Sequence, residues 1–284
     1  MTAAWGLSFV IVPWVLESCP VMTSIALRTG VGLAFLLSIR PQALRATRLE
    51  WRAGVLGGLL LSGGYILQTA GLAEATSGKS GFLTAFYICL VPAIEAVVYR
   101  RAPPGRDLLA LLVATTGIAL IVLRADFTVS FAEALVAFAA FCWAAHIVVV
   151  GRVAERVDAV RLAAVQMLVL VIVGVAGSAA VNDVGARPVR WSGGLVLEIL
   201  FLGVVTNGLG FFVQAWGQKR VPPTRTAVLF AGEPVFAALF GAWLASETFA
   251  ARDIAGAVVV MSAVALTIAW QKDARPDAVG KLPA

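Results

Sequence analysis

Apolar stretches of about 20 residues alternate along the chain with short connections that carry the charged residues. An α-helix of about this length crosses the ~30 Å hydrocarbon core of a bilayer. The stretches lack the period-two alternation of membrane β-strands. The pattern therefore predicts ten membrane-spanning helices, at roughly residues 2–16, 20–39, 52–72, 78–99, 105–123, 131–150, 159–181, 193–217, 222–244 and 251–270.

The two ends of this pattern differ from its middle. The first span covers only about 22 Å at 1.5 Å per residue, so we expect either residues upstream of Met1 or a helix that stops short of the cytoplasmic surface. Residues 271–284 are polar and are predicted to form a disordered cytoplasmic tail.

Composition supports an integral membrane protein. The chain is 60% hydrophobic and 13% charged, whereas soluble domains carry about 25% charged residues. Its net charge of +6 is spread among the loops rather than gathered in one patch, which argues against a nucleic-acid partner. Three cysteines and one histidine show no metal-ligand spacing, so the sequence predicts neither a metal nor another cofactor.

Lysine and arginine predict the orientation, because cytoplasmic loops carry the excess of positive charge. Of the 22 such residues, 16 fall in the second, fourth, sixth and eighth loops and the C-terminal tail, and 5 fall in the other connections. The remaining one, Arg28, lies inside a span. Both termini are therefore predicted to face the cytoplasm of a multi-pass protein in the inner (plasma) membrane.

The two halves of the chain resemble each other. The segment GYILQTAG at 64–71 matches GFFVQAWG at 210–217, an offset of 146 residues. Nearer the start the offset is 138, and Trp5 meets Trp143 there. Five spans per half place the second half upside down relative to the first, as in many transporters. The predicted fold is all-α and polytopic, with ten helices as two inverted five-helix repeats, residues 1–124 and 125–270.

Three segments resemble the EamA branch of the drug/metabolite transporter superfamily: AAWGLSFVIVPWVLE, GLAEATSGKSGFLTAFYICLVP and TRTAVLFAGEPVFAALFGAWLASE. The Trp-Gly of the first span and the Glu-Pro of the ninth are the more specific parts of this resemblance. It implies a central cavity and secondary transport, with a small metabolite or drug exported across the membrane. The lipid bilayer is the chain's environment, a proton is a candidate coupling ion, and the assembly is a monomer or a homodimer.

Glu233 is the principal candidate for the transport site. It lies about 16 Å from the cytoplasmic end of the ninth span by helical rise, and an acid at that depth marks a functional site by default. The adjacent Pro234 is expected to bend the helix and expose the acid. Arg28 lies at a similar depth, and it either pairs with Glu233 to hold helices together or receives a substrate carboxylate.

Further polar and aromatic positions suggest the lining of a cavity. Ser80, Thr84 and Tyr87 share one face if the fourth span is a continuous helix. Trp5 is followed by Ser8 and Trp143 by His146, each three residues on, and helix packing is an alternative role for them. Gln68 and Gln214 occupy mirror positions near the outer and inner ends, where they are candidate gates. The predicted substrate-binding residues are Glu233, Arg28, Tyr87, Thr84, Ser80, Trp5, Trp143 and His146, and the predicted gating residues are Pro234, Gln68 and Gln214.

Two other functions compete with transport. One is a scaffold or sensor that moves no solute. The other is an intramembrane serine protease built on Ser80 and His146, which requires the two side chains to be within hydrogen-bond reach of about 3 Å. Their predicted depths, about 3 Å and 22 Å from the outer face by helical rise, do not match. The sequence therefore predicts a transporter and not an enzyme.

The charge asymmetry gives a test of orientation. Cysteines placed at Ala46 and Ala274 should be shielded from an impermeant thiol reagent in intact cells, because both positions are predicted to be cytoplasmic. A cysteine at Ala186 should be labelled. Labelling at Ala274 in intact cells would contradict the ten-span topology.

Overall fold

The computed structural model describes residues 1–74, 77–100, 103–122, 130–246, 248 and 250–273. Within these residues every regular element is a helix. Six helices are long and apolar enough to cross a membrane: Val21–Ile39, Arg48–Leu72, Ala134–Arg156, Ala159–Ala180, Gly193–Gly217 and Pro223–Ala245. Thr2–Ser18, Leu83–Tyr99 and Ile254–Trp270 are shorter apolar helices.

The helices follow one another with short connections. Their bounds are α1 Thr2–Ser18, α2 Val21–Ile39, α3 Arg48–Leu72, α4 Ser77–Ala85, α5 Tyr87–Tyr99, α6 Gly105–Val122, α7 Phe131–Val153, α8 Ala159–Ala180, α9 Asp183–Ala186, α10 Gly193–Leu200, α11 Gly210–Gly217, α12 Pro223–Phe230, α13 Gly232–Ala245 and α14 Ala251–Asp273. A π-helical segment, Phe201–Leu209, joins α10 to α11.

Several predicted boundaries move by a few residues. Helix α1 continues to Ser18, two residues beyond the prediction, and Pro13 is accommodated inside it. Helix α3 begins at Arg48 because Thr47 and Glu50 form a capping box, which pairs the first free backbone N–H groups. Helix α14 continues to Asp273, so the first three residues of the predicted tail are helical. The rest of that tail lies outside the described residues.

Two predicted spans are interrupted near their middles. The fourth breaks at Phe86, between α4 and α5, and the ninth breaks at Ala231, between α12 and α13. The predicted fourth helix is therefore divided at Phe86, with Ser80 and Thr84 on α4 and Tyr87 at the start of α5. Interrupted helices free backbone groups, which is tolerated at membrane depth only where they are buried in protein or line a cavity.

The helices approach closely where glycine replaces a larger residue. A Cβ atom at Gly6 of α1 would lie 2.6 Å from the Cβ of Phe236 on α13. A Cβ at Gly32 of α2 would lie 2.9 Å from the carbonyl oxygen of Gly203 in the π segment. Both contacts are too short for any side chain, so glycine lets these backbones meet, as is common between membrane helices. Helix α2 also packs on α8, α3 on α7 and α8, and α6 on α14.

A polar cluster joins the connection before α3 to the connection before α8. The Glu50 carboxylate accepts hydrogen bonds from the backbone N–H of Thr47 at 2.6 Å and of Asp158 at 2.9 Å. Arg161 lies 3.6 Å from the same carboxylate. Asp158 in turn caps α8 through the N–H of Arg161 and pairs with Arg40 at 2.6 Å. These bonds fix the ends of α2, α3, α7 and α8 relative to one another.

The Asp158 cap makes stability dependent on pH. Partial burial acts to raise the pKa of Asp158, but the Arg161 N–H and the Arg40 guanidinium outweigh it and lower that pKa below its ordinary value. A carboxylate with a depressed pKa stabilises the fold above its unfolded pKa of about 3.9, and this stability is lost as the pH falls through the folded pKa. The melting temperature should therefore fall more steeply with acid in the wild type than in Asp158→Asn. Parallel acid limbs in the two proteins would contradict this role.

Candidate functional site

A central cavity of about 70 Å³ collects most of the predicted site residues. Because a water needs roughly 10–15 Å³ of such space, this conformation holds only a few waters, and a metabolite requires the cavity to widen. The predicted residues that line it are Trp5, Arg28, Gln68, Thr84, Tyr87, Trp143, His146, Gln214 and Glu233. Ser80 and Pro234 are buried but do not line it.

Glu233 lies in the first turn of α13, directly after the break at Ala231. Pro234 has no backbone N–H for the Phe230 carbonyl one turn earlier, and the interruption at Ala231 lies within that turn, where a proline is expected to distort the helix. Among the described residues no basic side chain forms an ion pair with the Glu233 carboxyl group. Tyr87 lines the same cavity, and its buried hydroxyl has no hydrogen-bond partner within the described part of the chain.

Arg28 is buried in the same cavity without a counter-ion. Its Nη2 donates to Thr69 Oγ1 at 2.6 Å, and its guanidinium carbon lies 4.6 Å from the centre of the Tyr65 ring. Within the part of the chain that is described, it forms no ion pair with Glu233. The alternative in which the two charges pair to hold helices together is therefore not what this conformation contains.

Aromatic rings enclose the polar groups. Trp5 lies edge-on to Phe230 at 4.9 Å between centroids, and its Nε1 donates to the Thr206 carbonyl at 2.9 Å. On another side, Tyr65 and Trp143 lie 5.3 Å apart. These rings give the cavity apolar walls between the two charges, so the site suits an amphipathic molecule.

A chain of amides holds the single histidine. Gln218 Nε2 donates to the Ile147 carbonyl at 2.8 Å, and Gln214 Nε2 donates to Gln218 Oε1 at 3.1 Å. The same Gln214 nitrogen lies 3.4 Å from His146 Nδ1, and Gln166 Nε2 lies 3.2 Å from His146 Nε2. Both amide nitrogens are donors and a neutral imidazole accepts at one nitrogen only, so one of the two glutamines donates to the ring.

The two predicted gating glutamines differ in their surroundings. Gln214 is buried within the amide chain, whereas Gln68 is half-buried and donates to Thr84 Oγ1 at 2.7 Å. The inner end is also tied by Arg225, which lies 2.9 Å from Asp107, and by Glu95, which accepts from the N–H and hydroxyl of Thr224. Within the described part of the chain, these polar contacts join the helices at the end predicted to face the cytoplasm.

Ser80 does not form the protease dyad. Its hydroxyl is fully buried and has no hydrogen-bond partner, so it does not contact His146. His146 bonds to glutamine amides instead. The geometry therefore gives no support to a Ser–His mechanism.

Sequence reasoning missed four polar residues of the cavity: Tyr65, Thr69, Thr206 and Asn207. Tyr65 lies three residues before Gln68 and Thr69 lies one residue after it, both within the repeated segment GYILQTAG. Thr206 and Asn207 are two adjacent polar residues near the middle of the eighth span, which is the signal that could have identified them.

Comparisons with known proteins agree with this arrangement. An uncharacterized transporter of Archaeoglobus fulgidus is 24% identical over 92% of this chain and 80% of its own length. The uncharacterized transporter YoaV of Bacillus subtilis is 22% identical over 92% and 91%. A solved crystal structure shares the fold, with a TM-score of 0.74 over 96% of both chains at 18% identity.

The apolar helices and the transporter family that the chain matches define a multi-span membrane protein of a transporter class. The EamA-like transporter family matches residues 1–123 and again residues 130–269. The chain belongs to that family, which confirms the resemblance seen in its sequence.

The amide chain predicts an asymmetry between the mirror glutamines. Gln214→Leu removes the link between His146 and Gln218 and leaves buried polar groups unpaired, which costs about 1–3 kcal/mol each. Gln68→Leu is the matched control, because it removes one bond at a half-buried position. Thermal unfolding in detergent should show the larger loss for Gln214→Leu. Equal losses of melting temperature in the two variants would mean that the hydrogen-bonded amides of Gln214 and Gln218 make no special contribution to stability.

Proposed function

We propose that the protein is a secondary transporter that exports a small amphipathic, amino acid-like metabolite or drug across the inner membrane by alternating access. Ten spanning segments form two inverted repeats, residues 1–124 and 125–270, and the substrate binds in the central cavity. Both termini face the cytoplasm. The direction of transport rests on the resemblance to the drug/metabolite transporters.

Mirror contacts support the inverted repeat. A Cβ atom at Gly64 would lie 3.0 Å from the ring of Trp143, and one at Gly210 would lie 2.9 Å from the ring of Trp5. Gly210 corresponds to Gly64 at the offset of 146, and Trp143 corresponds to Trp5 at the offset of 138. The same glycine–tryptophan contact therefore occurs twice, each time between the two halves.

The helix interruptions support it as well. At the offset of 146, Phe86 corresponds to Gly232, one residue from the break at Ala231. Discontinuous helices near the midplane are where transporters of inverted-repeat architecture place their binding sites. Tyr87 and Glu233 correspond to each other and each follows its break within two residues. The repeat thus brings an acid and a phenol to equivalent positions of one cavity.

The observation that carries the function is a guanidinium and a carboxyl group that line one enclosed cavity without forming an ion pair among the described residues. Each charge in a membrane interior costs several kcal/mol, and pairing would offset much of that cost. Because Arg28 and Glu233 do not pair with each other, both side chains remain able to bind a ligand that enters the cavity. We assign Glu233 to the substrate's cationic group or to a coupling proton.

Removing the Glu233 charge tests this assignment. The solute is first identified by comparing the metabolites that overexpressing and null cells export, and its flux is then measured in proteoliposomes. Glu233→Gln keeps the shape of the side chain and should lower flux at least about tenfold, since the loss of one charged hydrogen bond has that size. It should also flatten any dependence of flux on pH.

Two controls sharpen the result. Glu198→Gln changes another acid of a spanning helix that does not line the cavity and should leave flux unchanged. Arg28→Gln combined with Glu233→Gln should not rescue flux, because the two side chains do not form an ion pair in this conformation. Rescue by the double variant would assign both residues to helix pairing. Absence of any solute flux in the wild type would favour the scaffold or sensor.

A further inference from the structure

The Tyr65 ring is the centre of a polar cluster on one wall of the cavity. The Arg28 guanidinium lies over its face, and the Trp143 ring lies 5.3 Å away. The Tyr65 hydroxyl donates to Asn207 Oδ1, which fixes the orientation of that amide. Arg28, Trp143 and Asn207 come from α2, α7 and the π segment, so the packing of these elements around α3 creates the cluster.

Each of these three neighbours has a buried N–H group that no atom of the described residues accepts. The atoms are Arg28 Nε, Trp143 Nε1 and Asn207 Nδ2. Buried donors in proteins are nearly always paired, and leaving one unpaired is costly. Three free donors around one ring, on residues that all line the same cavity, therefore indicate a missing acceptor.

The charge of the cluster indicates the chemical class of the ligand that supplies this acceptor. Arg28 is positive, and its partners Thr69 and Tyr65 are neutral. No carboxylate of the described residues forms an ion pair with it. A guanidinium, an amide N–H and an indole N–H together match an anion with two oxygens, and a carboxylate is the small anion of that shape. Glu233, in the same cavity, disfavours a ligand of higher negative charge.

We propose that Arg28, Asn207 and Trp143 form a subsite for the carboxylate of the substrate, and that Glu233 with Tyr87 receives its ammonium group. The substrate class is then a zwitterionic amino acid. This inference rests on the transport function proposed above and deepens it. Tyr65 is a positioning residue, because it holds the Asn207 amide and the Arg28 guanidinium without offering the substrate a charge of its own.

Carboxamide analogues test the subsite directly. The purified protein in lipid nanodiscs is titrated with each proteinogenic L-amino acid and with its amide, which keeps the ammonium group and the side chain but removes the carboxylate charge. Binding is followed by the shift in melting temperature. At least one amino acid should bind, and its amide should bind about tenfold or more weakly, because a charged hydrogen-bonded contact is lost.

The outcomes separate this inference from the transport function. Flux of a solute together with equal binding of acids and amides would overturn the carboxylate subsite and leave the transporter intact. Flux without binding of any amino acid would overturn it too. Absence of flux for every solute would overturn the proposed function itself.

The mirror tryptophans provide matched variants that keep the ring volume nearly unchanged. Trp143→Phe removes an N–H that is free for the substrate, whereas Trp5→Phe removes one that already donates to the Thr206 carbonyl. Trp143→Phe should reduce the ratio of acid to amide affinity several-fold, and it should reduce that ratio more than Trp5→Phe does. Identical ratios in the two variants would contradict the assignment.

Asn207→Asp should reverse the preference of the site for the amino acid over its amide. It replaces the free amide donor by a carboxylate that repels the substrate carboxylate, so the amide should then bind better than the acid. Thr116→Ala, which removes an exposed hydroxyl bonded to its own helix, is the control for expression and folding. An unchanged preference for the acid in folded Asn207→Asp would exclude Asn207 from the subsite.

Discussion

The cost of keeping a charge out of water is the constraint on which this structure depends. Arg28 and Glu233 both lie in a cavity enclosed by membrane helices, where an unpaired charge costs several kcal/mol. For the Arg28 cation the protein meets this cost with neutral groups, the Thr69 hydroxyl and the Tyr65 ring. These neutral partners stabilise the buried charge only in part. The cavity therefore favours a ligand that supplies the remaining stabilisation.

Helix geometry follows from the same constraint. A continuous α-helix satisfies its own backbone, and a break near the midplane frees polar groups that lipid cannot satisfy. The breaks at Phe86 and Ala231 and the π segment all occur beside the cavity, where protein surrounds them. Close packing through glycines such as Gly6 and Gly32 brings these irregular segments together. The irregular segments therefore lie beside the cavity because protein, and not lipid, surrounds their free backbone groups there.

The positions of the helices and part of the candidate site could be predicted from the sequence, for physical reasons. Hydropathy located the helices because a spanning segment must be apolar along its length, and an acid among apolar residues identified Glu233. The break at Phe86 was missed because no glycine or proline occurs at that residue, and tertiary packing decides it. Tyr65 and Asn207 were missed because their roles arise from contacts between residues 142 positions apart. Ser80 does not line the cavity in this conformation, so its place in the site stays a prediction.

The two charges belong to different halves of the chain, and this gives the proposed mechanism its coupling. Arg28 is in the first repeat and Glu233 in the second, so rocking of one repeat against the other changes the distance between them. At the equivalent positions the other repeat has Gln166 and Tyr87, which are neutral. Backbone symmetry thus allows the two access states, while the chemistry of the site is asymmetric. A zwitterion that contacts both charges binds best at one separation, and its binding energy can therefore favour one arrangement of the repeats over others.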